Sequence, residues 1–358
     1  MVWLGYWLFY LFPLATVVGT SWGGAWAFLS PLLAGLAVPV LDLVFGDDTA
    51  NPSDGAEQRL KGERRWRAVL YLFVPVQWGL LLWACAYANH TASPVAWLAL
   101  ALSVGVVNGG LSINVAHELC HRLKPLDQAA ARALWLSVGY LHFHLEHRLG
   151  HHRRVATRED PATARRGEPV YTFYRRSIAG GFASAWAIER TRLWEAGLPV
   201  LSVRNQMLWS VGLTLGCVAA LWGALGARSA GFYVLQAAIA ILVLETVNYI
   251  EHYGLERTLV APGVYEPVGL QHSWNSSRRL TNYLLLKLQR HSDHHANPER
   301  RYQILRAFEG SPQLPLGYGG MVLLALVPPL WHRIMDPRVE ACRASVVRPV
   351  EADYAVTS

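Results

Sequence analysis

The chain has 358 residues, of which 53% are hydrophobic and only 16% charged. Soluble domains carry about 25% charged residues, so this composition points away from an ordinary water-soluble enzyme and towards a polytopic membrane protein. The net charge of +7 sits in loops between apolar runs, which makes membrane lipid the expected contact and no nucleic acid a partner.

Six apolar runs follow in chain order, at about residues 3–18, 25–45, 68–87, 94–115, 207–225 and 231–249. Each approaches the ~20 residues that cross ~30 Å of hydrocarbon. The first lacks a basic flank and another apolar run follows at once, so it reads as a retained span rather than a cleaved signal. The second contains Pro31 and Pro39, which membrane helices tolerate where neighbours satisfy the freed carbonyls. The long polar region after the fourth run holds a mostly apolar stretch, 129–145, expected as a helix against the membrane. It also holds an amphipathic helix at 183–192, where Trp186 and Ile188 oppose Glu189, Arg190 and Arg192. A last run, Tyr318 to Trp331, is broken by Pro328-Pro329 and is expected to be interfacial or peripheral. Cys85, Cys120, Cys217 and Cys342 form no CxxC pair and no disulfide framework.

Charge orients these runs. The loops after runs one, three and five carry only Arg228, whereas those after two, four and six carry Lys61, Arg64, Arg65, Arg148, Arg153, Arg154, Arg278, Arg279 and Arg290. Cationic loops stay cytoplasmic, so both termini and every histidine-rich segment are expected on that side. The expected fold is all-α, a single domain over residues 1–358: six transmembrane helices and a cytoplasmic histidine-rich cap of 116–206 and 250–358.

Histidines gather in four places: His117 and His121; His147, His151 and His152; His252; and His291, His294 and His295. Each ring brings two polar nitrogens that need partners when buried, and a metal satisfies convergent neutral imidazoles. Within the three boxes, His117/His121, His147/His151 and His291/His295 are four apart, the spacing of one helix face. His117-Glu118-Leu119-Cys120-His121 also matches the zinc-protease pattern HExxH, but a three-ligand zinc site leaves most of the other histidines unused. Nine donors exceed one octahedral ion and suit two. Glu118, Glu146, Glu251 and Asp293 stand beside them, placed to hold the second ring nitrogens, and His142 and His272 are further candidates for that outer layer. Two cationic metals at the ends of apolar helices suit reductive activation of O2 against an apolar substrate. Spans one to four, with Trp22, Trp26, Trp78 and Trp83, are expected to line or flank the substrate path. A metal transporter would instead place its ligands at mid-membrane.

The boxes resemble those of the integral-membrane alkane 1-monooxygenases, within the membrane fatty-acid desaturase/hydroxylase class. The likeness is carried by His117-Glu118-Leu119-Cys120-His121-Arg122, by Glu146 to His152 with Arg154 to Ala162 behind it, by Asn248 to Leu255, and by Leu288 to Pro298. The flanks Gln271 to Asn275 and Ser311 to Pro315 are similar too. The extended motif around His252 separates this pattern from the desaturases. Arg122 stands where the family commonly has Lys, and Cys120 where it commonly has a small residue.

The resemblance implies that His117, His121, His147, His151, His152, His252, His291, His294 and His295 bind two non-haem irons. It implies O2-dependent terminal hydroxylation of n-alkanes in a bacterial inner membrane, with electrons from NADH through rubredoxin reductase and rubredoxin. Arg148, Arg153, Arg154, Arg165 and Arg166 are then expected to meet an acidic electron carrier. Aromatic methyl hydroxylation, as in the related xylene and toluene enzymes, is the second reading, and fatty-acid desaturation the third.

Overall fold

The computed structural model describes residues 2–347; the expected cytoplasmic placement of Met1 and of residues 348–358 lies outside the described residues. Among the described residues, six helices have the length and apolarity to cross a membrane: Trp3–Trp22, Gly24–Phe45, Arg65–His90, Pro94–Cys120, Gln206–Leu225 and Ala227–His252. The fourth and sixth run further than hydropathy indicates, because their histidine-bearing last turns continue the helix into the cap. The all-α expectation holds apart from a two-stranded hairpin, Leu259–Ala261 with Val264–Tyr265.

Spans four and six form the centre. Gly105 and Gly109 of span four are packed so closely on span six that an added Cβ would lie 2.6 Å from Ile239 and Val243 respectively. Small residues allow such approach where lipid offers no hydrophobic drive between helices. Polar side chains tie the pair to its surroundings: Asn108 donates to Gln236 (2.5 Å), and Gln236 to the Ser137 carbonyl (3.0 Å). Span five is peripheral, with 11% of its apolar window buried against 67% for span four.

The first span is anchored by aromatic edges. Tyr6 meets Trp66, Tyr283 and Tyr302 at ring separations of 5.6, 5.2 and 5.1 Å. Asp42, near the end of span two, accepts the Thr281 backbone N–H at 3.0 Å. The carboxyl ends of spans two, four and six therefore share one side with the histidine-rich cap.

Three cap elements differ from expectation. The 129–145 stretch is a helix, Pro125–Ser137, that ends before Gly139 at φ 63° and resumes only at Phe143. The amphipathic segment is part of a much longer helix, Val170–Glu195. The last run is two helices, Tyr318–Ala325 and Pro328–Val347, separated at the proline pair. The eight residues of Tyr318–Ala325 span only about 12 Å, too short to cross.

Candidate metal centre

The first box closes span four. His117 and His121 occupy successive turns of one helix face and reach the same cluster. The second box does not repeat that geometry. His147–His151 form a π-helical turn, whose i→i+5 bonding brings residues five apart into line. His147 and His152 therefore converge, Nε2 to Nε2 at 3.0 Å, while His151 turns to a second cluster. The shared-face expectation for His147 and His151 is corrected by this turn. Gly150 permits it, since a Cβ there would collide with the Glu146 carboxylate. The third box, on the short helix His291–Ala296, also divides: His291 and His295 join His151 and His252, and His294 joins the first group.

Two groups result. His117, His121, His147, His152 and His294 form one, and His151, His252, His291 and His295 the other; within each, one ring atom per residue lies within 4.8 Å of all the rest. The groups adjoin, with the His152 and His295 rings 4.5 Å apart.

The donor chemistry fits metal ions. His147 Nε2 faces both His121 Nε2 (3.1 Å) and His152 Nε2 (3.0 Å), and His291 Nε2 faces both His252 (3.2 Å) and His295 (2.9 Å). A ring nitrogen carries one hydrogen or one lone pair, so it cannot satisfy two such neighbours by hydrogen bonding. A central cation can. Burial, then repulsion among the rings, holds His121, His147, His152, His291, His294 and His295 well below the ordinary histidine pKa, in the neutral form that binds metal.

His151 behaves oppositely. Burial would lower its pKa, but Asp160 overrides this and raises it, and the ring in turn holds the buried Asp160 carboxyl below its usual range. His151 Nδ1 donates to Asp160 Oδ2 at 2.9 Å, leaving Nε2 as the free donor. Thr163 Oγ (2.6 Å) and the Ala162 N–H (3.1 Å) also bond Asp160. Sequence reasoning gave Asp160 no role; its signal was a carboxylate nine residues beyond His151, within a stretch read only for its likeness to a family.

The flanking carboxylates separate by role. Glu251 Oε1 stands 3.2 Å from His291 Nδ1 and accepts the Tyr318 hydroxyl at 2.9 Å. Glu118 pairs with Arg122 (2.6 Å), and Glu146 with Arg154 and Ser184 (2.9 Å each). Asp293 accepts from Arg300, Asn297 and the Arg306 backbone. None of these three bonds a clustered ring among the described residues. His142 packs edge-on against Tyr140 and Phe182, and the His272 ring accepts the Gly269 N–H while facing Glu266; neither ring hydrogen-bonds a cluster, though the His272 backbone faces the His252 ring. The Cys120 thiol donates to the His117 carbonyl and points to no cluster.

A cavity of about 570 Å³ begins at His117, His147, His151 and His291 and continues among spans two, four and six between largely apolar walls. The tryptophan expectation is corrected. Trp22 and Trp26 are 64% and 55% exposed on the outer surface, and neither Trp78 nor Trp83 lines the cavity. Span three contributes no wall; span six and Trp135 of the cap do. Of the candidate carrier-docking arginines, Arg148, Arg154 and Arg166 are engaged by Gln128, Glu146 and Glu340, whereas Arg153 and Arg165 are exposed.

Comparison with known proteins agrees in extent and kind. A family model described as fatty acid desaturase matches residues 92–322. The chain is 39% identical over 346 residues to alkane 1-monooxygenase 2 of Pseudomonas aeruginosa, covering 94% of this chain and 92% of that protein. It is 42% identical over 323 residues to the alkane 1-monooxygenase of Pseudomonas putida, covering 89% and 79%. A xylene/toluene monooxygenase hydroxylase component from Pseudomonas putida is 27% identical over 361 residues, 98% of this chain and 93% of that protein.

Proposed function

The chain belongs to the membrane-bound alkane 1-monooxygenase family of the fatty-acid desaturase/hydroxylase class, and from that premise we propose that it hydroxylates n-alkanes at the terminal carbon. One oxygen atom of O2 enters the C–H bond and the other leaves as water, which requires two electrons and two protons per turnover. The observation that carries this reading is that histidines of both clusters line one largely apolar cavity.

We assign the nine clustered histidines as ligands of two non-haem irons. Bound there, iron supplies reductive activation of O2. The chain's own residues do the rest. Asp160 orients His151 by a hydrogen bond, and Glu251 lies 3.2 Å from His291 Nδ1. The apolar wall holds an alkane by contact area alone, about 0.8 kcal/mol per buried methylene, and keeps water from the reacting carbon. We further propose that spans and cap act as one domain in the bacterial inner membrane, with the clusters facing the cytoplasm. Electrons then arrive from an acidic rubredoxin, reduced by an NADH-dependent reductase, at the face carrying Arg153 and Arg165. The likeness to a xylene/toluene enzyme keeps aromatic methyl groups as the second substrate class, but the alkane enzymes are the nearer in identity.

The test is turnover in membranes supplied with rubredoxin, reductase and NADH, on a ladder of n-alkanes, xylenes and fatty acids, with metal analysis of the purified protein. The expected result is 1-alkanols from n-alkanes and two irons per chain. Stoichiometric zinc with no iron requirement would sink the di-iron assignment, and alkenes as products would make the protein a desaturase.

A further inference from the structure

Span four lines the cavity along its length from Leu102 to His117, and its less buried residues mark one stripe of that face. Between residues 101 and 120, every residue is buried except Leu102, Val106 and Gly110, and all three line the cavity. They recur at four-residue intervals, on one helix face, and the stripe continues through Asn114 to His117. Gly110 lies seven residues before His117, roughly 10 Å along the helix; Leu102 lies about twice as far.

Glycine within a helix costs about 1 kcal/mol relative to alanine, so its presence asks for a reason. Gly105 and Gly109 have one in their contact with span six. Gly110 has neither usual reason. Its φ is not positive, and a Cβ built on it meets nothing within 4 Å. Other open glycines in the spans, Gly79, Gly212, Gly216, Gly223 and Gly231, line no cavity. At Gly110 the open space is the cavity itself. The residue also lies in the π-helical turn Asn108–Ser112, between the metal end of the stripe and its distal end.

We propose that Gly110 is a specificity-determining residue: its missing side chain keeps the bore open to the distal half of the cavity, and so admits n-alkanes longer than the metal-proximal half can hold. The proposal rests on the alkane reading above. A side chain at this position divides the cavity, leaving the part beside Ile113, Asn114 and His117 and closing the part beside Leu102 and Val106. A long alkane would then lose several buried methylenes, each worth roughly fourfold in binding. A short alkane loses none.

The experiment uses the full chain in membranes with its electron donors. The variants are Gly110→Ala, Gly110→Leu and Gly110→Phe, with Gly79→Leu as an exposed-glycine control outside the cavity. The readouts are kcat and KM along an n-alkane ladder, iron per chain, and the rise in Tm produced by a long against a short 1-alkanol. The expected outcome is a long-to-short turnover ratio falling by about tenfold or more in Gly110→Leu and further in Gly110→Phe. The loss is carried by KM, the stabilisation by the long alkanol is lost with it, and the control keeps the original ratio. Equal loss at every chain length, or an unchanged ratio at normal iron content, overturns the proposal. Should Gly110→Phe fail to insert or to hold iron, the graded step from Ala to Leu decides in the same two directions. Failure of the parent reading looks different: the unsubstituted enzyme would then oxidise no n-alkane of any length.

Discussion

The two histidine clusters differ in how they would hold a cation. The larger has five rings, two of them half-buried, and no carboxylate bonds any of them among the described residues. The smaller has four rings, all buried, with Asp160 behind His151 and Glu251 behind His291. One gathers donors; the other strengthens fewer donors with charge behind the ring. An ion in the four-ring cluster would be held by fewer protein donors than one in the five-ring cluster. Buttressing carboxylates thus go to the site with fewer protein donors, where each ring matters more.

The largest effect should come from breaking the smaller cluster outright. His291 lies between His252 and His295 and is backed by Glu251. We expect His291→Ala to drop turnover below about a thousandth, with iron falling from two per chain towards one while insertion into the membrane persists. Near-normal hydroxylation would remove His291 from the ligand set. Asp160→Asn should be milder, because every ring remains. It removes the charge that raises His151 and fixes its tautomer, so iron affinity or activity should fall by about 10–100-fold. Iron loss to a chelator, timed against the unsubstituted protein, reads this directly. A rate of loss unaltered by the substitution would show that ring count alone holds the smaller site.

Much of this architecture is legible in the chain. Six apolar runs of near-span length, with arginine concentrated in alternate loops, specify the bundle, because length and charge are local properties. All nine rings come from boxes visible in the sequence. Their division between two clusters is not legible: a four-residue spacing implies a shared face only on an α-helix, and the π turn at His147–His151 breaks that rule. Asp160 was overlooked because the partner of a clustered ring is set by the fold of the intervening loop. The cavity wall was legible in part: spans one, two and four line it as expected, span three does not, and span six and Trp135 were not foreseen. Tryptophan marks the membrane interface as readily as a substrate path, and which helix face turns inward depends on packing between spans four and six.

The smallest expected effect sharpens the comparison most, because it concerns a carboxylate inside a box. Asp293 sits between His291 and His294 in the chain, yet its oxygens turn away from every clustered ring. They accept the Arg300 guanidinium at 2.5 Å, the Asn297 amide at 2.9 Å and the Arg306 backbone N–H at 2.8 Å. Its work is to pin residues 297–306 against the third box. Asp293→Asn weakens buried charged hydrogen bonds, so stability should fall by about 1–3 kcal/mol, seen as a lower Tm. Iron per chain should stay at two, and chelator resistance should match that of the unsubstituted protein, because no ring loses a partner. If Asp293→Asn instead released iron as fast as Asp160→Asn, charge near the cluster would matter irrespective of contact. The distinction between carboxylates that hold a ring and those that hold the chain would then fail.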